Sequence, residues 1–195
     1  MTKRSTTEKI VIHCADTYEV MDIGAAEINQ WHLDRGWNGI GYHFVIRRDG
    51  EVEVGRDIDE VGAHAKGYNQ ESIGICMVGG RGVDGKPEDN FTDNQWESLE
   101  DLVDILEETY PDAEVFGHNE LNPHKACPSF DVQDWLDGMS YDDTLPEGDS
   151  VPQYLKWLGE EAIRYVDKVS SREEFLDVAE QYVSVLRKYE GEQDD

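Results

Sequence analysis

The apolar positions of the chain fall into short β-branched runs separated by longer stretches with helical periodicity. Ile10, Val11 and Ile12 read as the centre of a buried strand over residues 9–14 that ends at His13 and Cys14. Ile28, Trp31 and Arg35 follow the spacing of a helix that starts at Asp22 or Gly24 and stops at Gly36. Beyond a glycine-rich loop at 37–41, two runs at 43–48 and 51–55 flank Asp49-Gly50. That pair favours a two-residue type I′ hairpin turn, because both positions accept positive φ. Residues 57–70 mix glycine with polar groups, show no periodicity, and read as a functional loop. Ile73, Ile75, Met77 and Val78 mark another buried strand over 72–78, closed by Gly79-Gly80, and 81–90 is a polar excursion. Thr92 and Gln95 make a capping box for a helix reaching about Tyr110. Trp96, Leu99, Leu102, Val103 and Leu106 share one face of it, and Pro111 stops it. A strand over 113–116 then delivers His118, and Asp131 caps a short helix to Leu136.

Strands alternating with helices predict an α/β fold, a mixed central sheet flanked by helices, in which the hairpin is antiparallel and the helix-linked strands parallel. This domain is expected over residues 1–137. Residues 138–152, acidic with glycine and proline, read as a linker. Residues 153–195 carry two amphipathic patterns, Tyr154 to Val166 and Phe175 to Leu186, expected to form a C-terminal helical extension, a hairpin.

Charge narrows the function. Forty-four acidic against seventeen basic side chains give a net charge of −27, which excludes a phosphate-tracking surface and so direct nucleic-acid binding. The acids are spread over both parts of the chain, a self-repulsion that added salt screens. Three cysteines, an odd number, do not suggest a disulfide framework. The polar first nine residues and the short apolar run after them hold neither a signal-peptide core nor a membrane span, so a cytoplasmic start without membrane insertion is expected.

The densest chemistry lies in Gly117-His118-Asn119-Glu120-Leu121-Asn122-Pro123-His124-Lys125-Ala126-Cys127-Pro128. Neutral imidazole and thiolate are natural ligands of Zn²⁺, and a catalytic zinc takes three protein ligands and leaves one position open. His118 and Cys127 supply two. His13, at a strand end, leads for the third, because strand ends in an α/β sheet converge on one edge. His32, His43, His64 and His124 compete with it, and composition does not choose among them.

Several motifs do. Ile12-His13-Cys14, Gly41-Tyr42-His43-Phe44-Val45-Ile46, Val61-Gly62-Ala63-His64-Ala65-Lys66-Gly67-Tyr68-Asn69, Ser72-Ile73-Gly74-Ile75 and Lys125-Ala126-Cys127-Pro128-Ser129-Phe130-Asp131 occur in this order. The order resembles that of the zinc-dependent N-acetylmuramoyl-L-alanine amidases, the type-2 amidase and peptidoglycan-recognition-protein family, over about residues 7 to 137. The resemblance implies one zinc ion held by His13, His118 and Cys127, with Tyr42 and Lys125 as the catalytic pair. It also implies a substrate groove containing His64, Lys66, Tyr68 and Asn69, with His43 either lining the same cleft or supporting the site from behind. Such a chain would be a phage-type endolysin, hydrolysing the amide between N-acetylmuramic acid and L-alanine in peptidoglycan after a membrane pore admits it to the wall. Two alternatives accompany the resemblance: a peptidoglycan-recognition module without catalysis, and a regulatory binder of a phage-type RNA polymerase, a role known for a phage member. The stretch from His118 to Cys127 is one residue longer than in that phage member, at His124, whose purpose stays open.

Overall fold

The computed structural model describes residues 2–138. The expected linker and helical hairpin, save Gly138, lie outside the described residues. In chain order the elements are β1 (Lys9–Cys14), β2 (Thr17–Tyr18), α1 (Ala25–Asp34), β3 (Phe44–Ile46), β4 (Val52–Val54) and β5 (Ser72–Met77). They are followed by β6 (Gly80–Arg81), α2 (Asp93–Thr109), β7 (Glu114–Gly117), α3 (His118–Leu121) and α4 (Val132–Gly138). Five strands form one sheet in the order β4-β3-β5-β1-β7. Only β3 and β4 run antiparallel; β5 is parallel to both β1 and β3, and β7 is parallel to β1. The mixed α/β architecture is therefore the expected one. A second, two-stranded parallel sheet of β2 and β6 was not anticipated, since two residues carry no periodicity.

Local signals explain most boundaries. Gly24 caps α1, where the Glu27 carboxylate reaches back to its N–H at 2.9 Å, and Gly36, at φ +81°, ends it. Thr92 Oγ1 accepts from Gln95 N–H at 3.2 Å while Gln95 Oε1 accepts from Thr92 N–H at 3.2 Å, the reciprocal box. The buried Gln95 also ties helix to sheet: its Nε2 donates to the Val78 carbonyl at 2.9 Å, and its Oε1 accepts from Arg48 at 2.9 Å. The hairpin turn differs from the expectation. Gly50 has φ +90° but Asp49 does not take positive φ, and Gly50 N–H donates to the Arg47 carbonyl at 3.0 Å. With Arg47 N–H bonded to the Glu51 carbonyl at 2.9 Å, this is a three-residue loop closed by a left-handed glycine, not type I′. The Asp49 carboxylate stabilises it by accepting from Glu51 N–H at 3.0 Å.

Alternation along each strand gives the sheet two different faces. One is dry: Ile10 and Ile12, Phe44 and Ile46, and Ile73, Ile75 and Met77 pack against Leu99, Leu102, Val103 and Leu106 of α2. The other begins the same way, with Val45, Cys76 and Val78 against Ile23, Ile28 and Ile40. His13 lies on this second face, opposite Cys76 in register, which in turn faces Val45. One row toward the strand starts, Val11 pairs with Gly74, so the face there carries no side chain from β5.

Candidate active site

The parallel strands β1 and β7 end at one edge of the sheet, and their ends supply His13 and, at the first residue of α3, His118. Cys127 arrives on the following loop, fixed by Asn119 N–H donating to its carbonyl at 2.7 Å, just before a cis peptide bond to Pro128. The donor atoms of His13, His118 and Cys127 all lie within 4.8 Å of one another, and Cys127 Sγ is 3.7 Å from His13 Nδ1. Among the described residues this is the group of histidine, cysteine and carboxylate donors so placed. Two imidazoles and a thiol at such spacing match what a tetrahedral zinc takes, with one position left over. His32 and His124 stand apart. His32 Nδ1 accepts from Gly41 N–H at 3.0 Å, and His124 is exposed, its backbone N–H bonded to Asn122 Oδ1 at 3.2 Å.

The surroundings favour neutral imidazoles. Burial first, then the neighbouring imidazoles, holds His13 well below the ordinary histidine pKa. Burial lowers His118 as well, with the Lys125 ammonium adding to it, which puts that charge close to the cluster. The Cys14 thiol and burial together push Cys127 well up, so a cation is needed to hold it as thiolate. The backbone N–H of Cys14, 3.2 Å from Cys127 Sγ, is already aimed at the sulfur that would carry that charge.

Tyr42 stands beside the cluster, its ring centroid 5.1 Å from that of His13. Its backbone is pinned on both sides. Gly41 N–H is taken by His32, the Gly41 carbonyl by Ala63 N–H at 3.0 Å, and the Tyr42 carbonyl by Arg56 N–H at 2.8 Å. Gly41 has to be glycine, since a Cβ there would sit 2.2 Å from the Ala63 oxygen. Burial above all raises the Tyr42 phenol well above its ordinary pKa, so its hydroxyl remains a donor. Lys125 is exposed on the loop between His118 and Cys127.

The loop residues expected in a groove have varied positions. His43 does not reach an open surface: it is 0% exposed, Nδ1 accepts from Gly74 N–H at 2.9 Å, and Nε2 lies 2.9 Å from the Glu60 carbonyl as donor. His64 lies against His13, with His64 Nδ1 and His13 Nε2 3.0 Å apart. Asn69 Oδ1 accepts from the N–H groups of His64 and Ala65 at 2.9 and 2.8 Å, so its side chain shapes the loop. Tyr68 stacks under Lys9 Nζ, 5.7 Å from the ring centroid, at the opposite end of β1 from His13. Lys66 is exposed.

Sequence reasoning missed the supporting residues. Arg56 is buried and donates from Nε to the Ile40 carbonyl at 2.9 Å and from Nη1 to the Val61 carbonyl at 2.5 Å, joining the Tyr42 segment to the functional loop. Cys14 faces Cys127 through its backbone. The one available signal was Gly74, a glycine within a buried strand, which marks a close approach by another group.

Comparison with known proteins agrees with this geometry. The family model described as N-acetylmuramoyl-L-alanine amidase matches residues 3–130. The endolysin of Enterobacteria phage K11 is 51% identical over 135 residues, covering 69% of this chain and 89% of the relative. The endolysin of Escherichia phage T7 is 49% identical over 133 residues, covering 68% and 87%. Among solved structures, the N-acetylmuramoyl-L-alanine amidase LysC from Clostridium intestinale URNW superposes with a TM-score of 0.58 at 29% identity, covering 68% of this chain and 84% of that one.

Proposed function

The chain belongs to the N-acetylmuramoyl-L-alanine amidase family, among its phage endolysins, and we propose that His13, His118 and Cys127 bind one zinc ion at which it cleaves peptidoglycan. It is an amidase acting between N-acetylmuramic acid and L-alanine, an enzyme and not a recognition module. The observation that carries the zinc assignment is the meeting of two imidazoles and a thiol, from segments as much as a hundred residues apart, within 4.8 Å. Bound there, zinc supplies a Lewis acid that acidifies water and polarises a carbonyl.

The chain's own residues do the rest. The Cys14 N–H stabilises the ligating sulfur as thiolate, which removes Cys127 from nucleophilic roles. The Lys125 ammonium stabilises negative charge developing on the scissile carbonyl oxygen. Tyr42, protonated and held by its pinned backbone, donates a hydrogen bond that orients the attacking water. Lys66, exposed beside Gly67, is the loop residue we assign to substrate contact. Among the described residues no helix is long and apolar enough to cross a membrane, and access to the wall after permeabilisation by another agent fits that. The polymerase-binding alternative rests on the resemblance alone.

Digestion of purified cell walls tests the assignment. New alanine amino termini are expected from the wild type. In Lys125→Ala the rate falls about 10²–10³-fold, the cost of losing one oxyanion-stabilising donor, with bound zinc unchanged. Full activity in that variant removes Lys125 from its role.

A further inference from the structure

We infer that His64 is a positioning residue for the metal centre, holding His13 in the one tautomer that can ligate through Nδ1. The inference rests on the zinc reading above, and it follows from a hydrogen-bond chain with a single allowed direction. Ser72 Oγ lies 2.8 Å from the Tyr68 carbonyl, which can only accept, so the hydroxyl proton sits on that bond. Toward His64 Nε2, 3.4 Å away, Ser72 Oγ therefore presents a lone pair, and Nε2 carries the His64 proton. A neutral imidazole protonated at Nε2 has a bare Nδ1. That bare Nδ1 faces His13 Nε2 at 3.0 Å, so His13 must carry its own proton on Nε2. The consequence is a lone pair on His13 Nδ1, the atom 3.7 Å from Cys127 Sγ within the donor cluster. The opposite tautomer would point a proton into the cluster.

The fold builds a place for this imidazole. A Cβ on Gly74 would lie 2.5 Å from His64 Cγ, and one on Gly62 would lie 2.5 Å from His64 Cδ2. Neither glycine has positive φ, so each is required by close approach to the ring and not by backbone conformation. His43, itself bonded at both nitrogens, packs edge-on against His64 with centroids 5.5 Å apart. Asn69 fixes the backbone of His64 from behind. With both ring nitrogens engaged inside the protein, His64 is committed to His13 and not to substrate.

The test reads the tautomer and metal affinity of the full chain. In ¹⁵N-histidine-labelled wild type treated with chelator, long-range ¹H–¹⁵N spectra are expected to show His13 protonated at Nε2; protonation at Nδ1 overturns the inference without touching the zinc assignment. Zinc affinity is then measured by chelator competition. His64→Leu, which cannot accept from His13, is expected to bind zinc about 10–100-fold more weakly, the usual cost of losing an outer hydrogen-bond partner. His64→Gln, whose amide oxygen can still accept, is expected to stay within about threefold of wild type. Equal affinity in wild type and a folded His64→Leu overturns the inference, as does equal weakening in Leu and Gln variants. Should His64→Leu not fold, the wild-type tautomer alone decides. Failure of the wild type to bind zinc at all would instead overturn the zinc reading.

Discussion

The two faces of the central sheet are made from the same strands and obey different rules. Against α2, isoleucines from β1 and β5 meet leucines, and every contact is interchangeable in kind: the face is held by removal of apolar area from water. On the opposite face His13 and Gly74 stand next to those isoleucines in β1 and β5, and His43, just before β3, and His64, from the loop after β4, pack against that pair. Each buried imidazole there has to be paired, because an unpaired polar group away from water costs more than a lost methyl. A fold can afford such a face because the first one supplies the stability. The first tolerates shape changes gradually, whereas the second works only as a set.

Perturbing each face separately should expose the contrast. Cys127→Ser has the largest expected effect: it removes the only thiol donor of the cluster, so zinc affinity and wall cleavage fall together by more than the ~10–100-fold typical of an outer partner, with little change in folding. Metal analysis beside a cleavage assay checks this, and retained cleavage with lost zinc would separate the two. Leu102→Ala acts on the dry face. It should cost about 2–5 kcal/mol in urea unfolding while the folded fraction keeps its zinc affinity.

The smallest effect is with pH. Burial lowers His43 to about 4 from its ordinary 6.5. Between those values the unfolded chain takes up a proton that the folded chain refuses, so this contribution is fully present above about pH 6.5 and is lost as pH falls toward 4. Going from pH 7 to 5 should cost about 2 kcal/mol from His43 alone, with the buried His13 and the half-buried His64 acting in the same direction. Urea unfolding in molar salt, which screens the surface acids, measures it. Leu102→Ala should shift that pH curve downward without changing its shape; a flat wild-type curve would contradict the pairing described for the second face.

How much was legible in the sequence follows the same division. Periodicity read the dry face well: Leu99, Leu102, Val103 and Leu106 at helical spacing, and Thr92 with Gln95 as their cap, because burial and capping are local rules. It located β1, β5 and β7 and hence the edge where His13 and His118 meet. The loop after Arg47 was misread because Asp49-Gly50 is compatible with two turns, and only the backbone of Asp49 distinguishes them. The supporting shell was not legible. Asn69 bonds the backbone of its own loop, a local pattern that residues 57–70 carry without periodicity to mark it, whereas the inward turn of His64 depends on Gly74 and Ser72 of a strand placed by tertiary contact. The motif resemblance gave the cluster its members; of the two places it left open for His43, the buried ring bonded at both nitrogens fits the supporting one, and the Asn69 side-chain oxygen is taken by its own loop.

The central claim, a zinc amidase built on His13, His118 and Cys127, is most directly tested by metal exchange in the full chain. Purified protein should contain one zinc per chain, lose wall-cleaving activity on stripping, and regain it when one equivalent of zinc returns. Undiminished release of alanine amino termini by verified zinc-free protein would contradict the account.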